Sequence, residues 1–268
     1  LALEASLEGV EMNTHAGFLP LPDGRLLFVD DAADELLAVR HEVDTLEVVG
    51  RASLPADVTH VAVDPAATYA IVGAVSDTAP LTLVDLGDFT TTSLDVEAGE
   101  AGVMLSGDPL TVLHRNDASL QVEAYPVEAF LAGETSPASA VPTGAFGHGE
   151  VIDHERGRLY LATDDGFDVV NMDAGNLEYE TTWPWEANGR AGGRAYFARL
   201  TPDGSHLISY IANRDGEETA WGEWSNDLYI VDLETDTVTR SALAPGLVYR
   251  FALADTLALF FSMTPEGD

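Results

Sequence analysis

The sequence contains no cysteine, no lysine and no apolar run long enough to cross a membrane. Without cysteine, neither disulfides nor thiolate metal sites can form. The 12 basic residues are all arginine and are set against 46 Asp and Glu, for a net charge of −34. Phosphate backbones are bound by clustered basic side chains, so nucleic acid is not an expected partner. No membrane span is expected either.

The acidic residues are spread over the whole chain and are not gathered in one patch. At this density like charges repel strongly in dilute buffer, and concentrated salt screens the repulsion. The composition therefore indicates a protein adapted to high salt. It resembles the acidic, lysine-poor style of extreme halophiles.

A repeated strand pattern organises the chain. Residues 195–243 read as four short strands with alternating apolar residues, separated by polar or Pro-Asp-Gly turns. One such sheet cannot bury both faces alone, and related segments recur with a period of about 40–50 residues. Segments like its first half begin at residues 14, 59, 100, 147 and 246. This predicts an all-β fold, a β-propeller of about six four-stranded blades with seven as the alternative, in one domain over residues 1–268.

The chain ends bear on how such a ring is completed. The last repeat, which begins at residue 246, supplies only two strands. At the other end of the chain, residues 4–17 resemble residues 50–62, which include an outermost strand. We therefore expect closure by strands from both termini, which removes a free sheet edge and leaves one strand of the shared blade unaccounted for. In the repeat that begins at residue 100, residues 126–133 are predicted to contain one helical turn, and residues 133–144 are predicted to be a flexible connection.

Segments 58–74, 81–113 and 228–240 share a pattern in which Val-Asp opens the turn that follows a strand. In this the chain resembles propellers of the YVTN-repeat type and the related heavy chain of methylamine dehydrogenase. The resemblance implies the propeller fold and an exported protein, at the cell surface or outside it. It implies no particular activity, because members include binding modules and a few enzymes.

Ligand sites of propellers gather on the face where the innermost strands begin. His15, His60 and His148 are predicted at or just before such starts, and His114 at the end of a second strand on the same face. His60 lies two residues further along its strand than the other two, which would keep it on the same side. Three imidazoles converging on a central funnel would bind a divalent metal such as zinc or copper. Glu150 is the nearest carboxylate to complete the shell.

Two family resemblances lead to different interpretations of these histidines. In propellers of the WD type, a Gly-His pair at this position is structural, and Gly147-His148 fits that role. NTHAGFLPLPDGRLL and GHGEVID also resemble the His-Gly and His-Gly-Glu signatures of periplasmic zinc-chaperone propellers associated with zinc ABC transporters. That resemblance implies zinc binding by His15 and His148 at the channel mouth. The His-rich acidic loop of such chaperones is not present in this chain.

Two loops form a predicted rim over the same face. Trp221 and Trp224 lie in a long polar loop, and Arg190 and Arg194 in a glycine-rich one. Such a rim suits a protein or glycan partner. We see no Ser-His-Asp order, nucleophile elbow or phosphate-binding loop. The leading prediction is a metal-binding or metallochaperone-like propeller with zinc as the expected ion. A protein- or glycan-binding surface module is the alternative, and a metal-dependent hydrolase is third.

Overall fold

Short runs of β-branched and other apolar residues form the strands of this protein, and several of these strands end at an aspartate, as at Asp30, Asp85 and Asp232. The computed structural model describes residues 10–11, 18–42, 45–74, 80–96, 102–116, 118–144, 146–173, 175–186, 194–213, 225–242, 247–254 and 257–263. At some of these positions, His148 and Arg194 among them, only the backbone is described. The chain divides into two compact units, Leu1–Pro142 with Ala174–Leu177, and Thr143–Asp173 with Glu178–Asp268. The prediction of a single domain stays a prediction.

The first unit contains three four-stranded antiparallel sheets. Sheet 1 consists of β1 (Leu19–Pro20), β2 (Arg25–Asp30), β3 (Glu35–Glu42) and β4 (Thr45–Ser53). Sheet 2 consists of β5 (Val58–Val63), β6 (Tyr69–Ala74), β7 (Leu81–Asp85) and β8 (Thr91–Leu94). Sheet 3 consists of β9 (Val103–Gly107), β10 (Leu110–Asn116), β11 (Gln121–Pro126) and β12 (Ser139–Pro142), with helix α1 (Val127–Leu131) between the last two.

The second unit contains two more four-stranded meanders and a hairpin. Sheet 4 consists of β13 (Phe146–Asp153), β14 (Arg158–Thr163), β15 (Gly166–Asp173) and β16 (Asn176–Pro184), whose first residues belong to the first unit. Sheet 5 consists of β17 (Arg194–Leu200), β18 (His206–Asn213), β19 (Ser225–Asp232) and β20 (Thr237–Ala242). The hairpin is β21 (Leu247–Ala254) and β22 (Leu257–Met263). A parallel pairing of His148 with Tyr196 joins sheets 4 and 5.

Aspartate side chains form the turns that the repeated Val-Asp pattern marks. Asp85 accepts a hydrogen bond from the backbone N–H of Gly87 at 2.8 Å. Asp232 occupies the same place in sheet 5 and accepts from the N–H groups of Glu234 and Thr235, at 2.9 and 3.0 Å. These bonds replace backbone partners where the chain reverses between the third and fourth strands. The Val-Asp pattern therefore marks turns and carries no chemistry of its own.

The apolar core of the first unit lies between consecutive sheets. In β6, Ala70 and Val72 pack into a cluster with sheet 1, whereas Ile71 packs into a separate cluster with sheet 3 and α1. This division follows from the two-residue period of a strand, which sends neighbouring side chains to opposite faces. Sheet 2 is consequently buried on both faces, which explains its nearly continuous apolar runs.

The core of the second unit is aromatic. Trp183 and Trp185 are buried among Tyr160, Phe167 and Tyr229, so these two tryptophans pack the blades. At the same core a fully buried ion pair joins Arg240 to Asp227, with 2.7 Å between Nε and Oδ2. The second guanidinium arm donates to the Trp185 carbonyl at 2.9 Å. The buried arginine thereby ties β20 to the end of the Trp segment.

The structure corrects one prediction and confirms another. The helical turn expected in residues 126–133 is present as α1, with Val127 and Phe130 buried. The following segment was predicted to be a flexible connection, but Ser139–Pro142 form β12 and pair with β11. The N-terminal strand of the predicted closure falls in residues 4–17, of which all but residues 10 and 11 lie outside the described residues, so closure stays a prediction. Among the described residues, no helix has both the length and the hydropathy needed to cross a bilayer.

Candidate metal-binding site

The first strand of several sheets is interrupted by a β-bulge close to its start. Bulges bend a strand, end regular pairing and re-aim side chains, and they are enriched beside functional sites. The irregular positions lie between Val58 and His60 in β5, Phe146 and Glu150 in β13, Tyr196 and Ala198 in β17, and Val248 and Arg250 in β21. Three of the predicted ligands therefore lie at or next to these irregular positions. His60 and Glu150 come directly after one, and His148 lies within one.

His60 is half-buried in β5, opposite Gly73 of β6. Its Nδ1 lies 3.0 Å from the hydroxyl of Thr59, the residue at the bulge. While this contact is kept, Nε2 is the nitrogen through which a metal would be held. Glycine opposite His60 places no side chain beside the imidazole on that face of the sheet.

His148 and Glu150 belong to β13. The backbone of His148 pairs with Tyr196 of β17, and Glu150 is half-buried opposite Leu161. The bulge interrupts the alternation on which the two-residue spacing argument depends. His60 is four residues before the turn residue Asp64, whereas His148 is five before the equivalent Asp153. Spacing along the sequence alone therefore does not put the two imidazoles on the same side of their strands.

The remaining predicted residues are only partly covered by the structure. His15, Arg190, Trp221 and Trp224 lie outside the described residues. Arg194 is described by its backbone, which pairs with Ala212 at the start of sheet 5. The ligand role of His15 and the partner-binding rim therefore stay predictions.

A buried polar cluster in sheet 3 was not part of the predicted ligand set. His114 is 0% exposed, and its Nδ1 lies 3.1 Å from Oε2 of Glu123, its cross-strand partner. The same carboxylate accepts from the Tyr125 hydroxyl at 2.9 Å and from the Asn116 amide at 3.2 Å. Nε2 of His114 is buried and has no hydrogen-bond partner among the residues that the structure describes. Such orphaned polar atoms are costly and rare, so this one requires an explanation.

The electrostatics of the cluster favour an ionised Glu123. Burial alone would raise the pKa of this carboxyl group, but hydrogen bonds from His114, Tyr125 and Asn116 outweigh burial and lower the pKa. Burial, reinforced by the bond to Glu123, raises the pKa of Tyr125, which keeps the phenol protonated as a donor. An ionised Glu123 accepts a hydrogen bond from the Nδ1–H group of His114. In the tautomer that carries its proton on Nδ1, the lone pair lies on Nε2.

The sequence contained a signal for this cluster. LTVLHRN and QVEAYP are adjacent alternating runs, and pairing them as a hairpin places His114 opposite Glu123. What the sequence did not show was that the pair is buried. In the part of the chain that the structure describes, no three His, Asp or Glu side chains are already grouped as a metal site. The donors that are present, imidazoles with a supporting carboxylate, nevertheless suit a borderline metal such as zinc.

Comparison with known proteins gives the fold. No family model and no curated protein matches the sequence. Hydrazine synthase of Kuenenia stuttgartiensis is 16% identical with a TM-score of 0.63, covering 94% of this chain and 75% of that one. A functionally unknown protein from Desulfotomaculum acetoxidans is 11% identical with a TM-score of 0.61, covering 88% and 73%. AztD of Citrobacter koseri is 11% identical with a TM-score of 0.61, covering 92% and 67%.

These similarities identify the class of protein. The four-stranded antiparallel sheets and the structural neighbours together show a fold of β-propeller type. At such low identity the neighbours show the fold alone.

Proposed function

We propose that this chain is a metal-binding propeller with a metallochaperone-like role, and that zinc is the ion it takes. The candidate ligands are His15, His60, His148 and Glu150. The observation that carries the proposal is the position of the last three at bulged starts of first strands, where side chains leave the regular pattern of the sheet. The sequence resemblance to periplasmic zinc-chaperone propellers supports the same choice of ion.

The chemistry of these residues fits a transition metal better than calcium or magnesium. Imidazole nitrogens are ligands for zinc, copper and nickel, whereas the two hard cations take oxygen donors. The acidic surface offers many carboxylates for weak calcium and magnesium binding, so selectivity for zinc must come from the imidazoles. We further propose a YVTN-type propeller that works outside the cytoplasm in concentrated salt, in keeping with the sequence pattern and the net charge of −34.

The test is a zinc titration of chelator-treated protein in high salt, with excess calcium present to occupy surface carboxylates. We expect one tightly held zinc per chain in the wild type, measured by elemental analysis after desalting. His60→Gln and His148→Gln should each lose it. His41→Gln is the matched control, because His41 is exposed in β3 and takes no part in the proposed site. Zinc-free wild type, or variants that retain full stoichiometry, would overturn the proposal.

A further inference from the structure

We infer that His114 is an additional ligand of this metal site, that Glu123 is the carboxylate that orients it, and that the two act from the sheet facing His60. The inference rests on the proposed function and extends it to residues outside the predicted ligand set. Three observations carry it: the side of sheet 2 on which His60 lies, the side of sheet 3 on which His114 lies, and the unpartnered Nε2 of His114.

The side of sheet 2 follows from its register. Ala62 pairs with Ile71, and both pack into the apolar cluster shared with sheet 3. His60 and Gly73 are the next same-side pair along the two strands. The pairing from Ala62 to His60 is regular, because the bulge lies between Val58 and His60. Residues two apart in a strand share a face, and directly paired residues do so as well. His60 therefore lies on the face of sheet 2 that is turned towards sheet 3.

The side of sheet 3 follows in the same way. Val103 and Val112 pack into that shared cluster from the other side. His114 pairs with Val103 and lies two residues after Val112, so it is on the face of sheet 3 turned towards sheet 2. His114 is opposite the first residue of β9, and His60 is the third residue of β5. Both histidines thus lie where the first strand of their sheet begins.

The two histidines differ in exposure. His114 is fully buried, whereas His60 is half-buried and so is in part accessible to solvent. Gly73, paired with His60 on the same face, adds no side chain between the sheets at this level. An ion entering from the solvent side would meet His60 first and His114 deeper in the interface.

The chemistry of His114 matches that of a supported metal ligand. A metal-binding histidine usually donates its second N–H to a carboxylate, which fixes the tautomer and ring orientation and increases the basicity of the coordinating nitrogen. Here Nδ1 faces Glu123 at 3.1 Å, and Glu123 is itself held by Tyr125 and Asn116. The nitrogen left for a ligand is Nε2, which no described residue contacts by a hydrogen bond. A divalent borderline ion would satisfy that atom, and two facing imidazoles would favour zinc over calcium.

The experiment follows the imidazole nitrogens directly. Protein labelled with 15N-histidine is observed by long-range 1H–15N correlation while zinc is added. The six histidines other than His114 are assigned from their His→Gln variants, and the remaining signals then belong to His114. We expect the His114 and His60 nitrogens to shift with saturation at one equivalent, whereas His41 does not respond. Because no variant of the buried His114 is needed, the result does not depend on whether such a variant folds.

The zinc affinity of Glu123→Gln is a second measurement, and it distinguishes an orienting role of Glu123 from a merely structural one. This substitution keeps the side-chain shape and removes the charge that orients His114, so zinc should bind with unchanged stoichiometry and about 10–100-fold lower affinity. Glu128→Gln is the matched control, since Glu128 is exposed in α1. It should leave zinc affinity unchanged.

The outcomes separate the two proposals. If His60 and His148 respond to zinc and His114 does not, the inference fails and the proposed function stands. If His114 and His60 respond and His148 does not, the inference stands and the metal site lies between sheets 2 and 3 without His148. If no histidine responds, both proposals fail, and the unpartnered Nε2 of His114 does not mark a metal site.

Discussion

The ring of Phe89 packs on Gly50 so closely that a Cβ at Gly50 would overlap it. Phe89 lies in the turn between β7 and β8 of sheet 2, whereas Gly50 lies in β4 of sheet 1. The guanidinium of Arg25, also in sheet 1, lies 6.0 Å from the centre of the same ring, and its Nη1 donates to the Leu86 carbonyl at 2.9 Å. Gly50, Arg25 and Phe89 therefore fasten two consecutive sheets at one edge.

Sheets 4 and 5 show a related contact at the equivalent place. Arg158 begins β14 as Arg25 begins β2, and its Nη1 lies 3.8 Å from Asp236. Asp236 comes four residues after Asp232, as Phe89 comes four after Asp85, and both have positive φ. The repeat thus keeps the arginine and the turn, and it changes the partner from an aromatic ring to a carboxylate.

Gly50→Ala should destabilise the protein by about 1–3 kcal/mol, because the new methyl group must displace the Phe89 ring. Phe89→Ala should cost a similar amount by removing the packed ring. The double variant should be more stable than the sum of the two losses predicts, with a coupling of about 0.5–3 kcal/mol. Urea unfolding of the four proteins measures this cycle. Strictly additive losses would show that the ring and the glycine do not interact.

Arg240→Met should destabilise the protein by about 3–5 kcal/mol, because it leaves Asp227 buried without its ion-pair partner. Pairing it with Asp227→Leu should recover part of the loss, since no buried charge then remains. Arg51→Met breaks the exposed pair with Glu35 and should cost at most about 1 kcal/mol. Chemical denaturation of these variants measures the free energy of unfolding that each one loses. Equal losses for the buried and exposed pairs would contradict the account.

Acid should weaken the turn at Asp203. Hydrogen bonds from the Thr201 hydroxyl, the backbone of Ser205 and the Ser205 hydroxyl lower the pKa of Asp203 from 3.8 to about 2. The ionised carboxylate therefore adds stability above pH 3.8, and that contribution disappears as the pH falls towards 2. Asp203→Asn should be less stable than wild type near neutral pH, and the difference should shrink over this window.

Thr201→Val provides the comparison for that experiment. Removing the hydroxyl that contributes most to the lowered pKa should bring the Asp203 pKa back towards 3.8. The stability that Thr201→Val loses through Asp203 between pH 6 and pH 2 should therefore be smaller than in wild type. Thermal unfolding between pH 2 and pH 6 measures all three proteins. A gap between wild type and Asp203→Asn that stays constant across this range would contradict the assignment.

Salt should stabilise the protein. A net charge of −34 makes the folded state repel itself, and screening reduces that repulsion as the ionic strength rises. The unfolding midpoint should therefore rise steadily from dilute buffer to molar NaCl, by about 2–4 °C for each kcal/mol gained in a chain of this size. Sorbitol stabilises by exclusion from the surface but does not screen charge, so it should give a smaller rise at matched osmolality. A midpoint insensitive to salt would contradict adaptation to high salt.

Much of the fold could be predicted from the sequence because its signals are local. Alternating apolar residues and Asp-marked turns follow from strand geometry and side-chain hydrogen bonding, and the turns at Asp85 and Asp232 have that form. β12 was missed because Ser139–Pro142 is short, contains proline and follows α1, and the described residues of the other sheets contain no such helix. Its place in the sheet depends on pairing with β11, which is not a local property.

The candidate site was harder to predict than the fold. Spacing suggested that His60 and His148 share a side of their strands, but bulges at both positions interrupt the alternation that spacing assumes. A bulge depends on the partner strand and has no clear mark in a single strand's sequence. The pairing of His114 with Glu123 follows from a local hairpin, whereas the complete burial of His114 depends on how sheets 2 and 3 pack.

The most direct test of the central claim is anomalous diffraction at the zinc edge from crystals of the protein soaked in zinc and calcium. The account predicts a strong peak about 2.0–2.1 Å from imidazole nitrogens of the proposed ligands, with His60 among them. Peaks confined to surface carboxylates, or no peak above background, would contradict a metal-binding function.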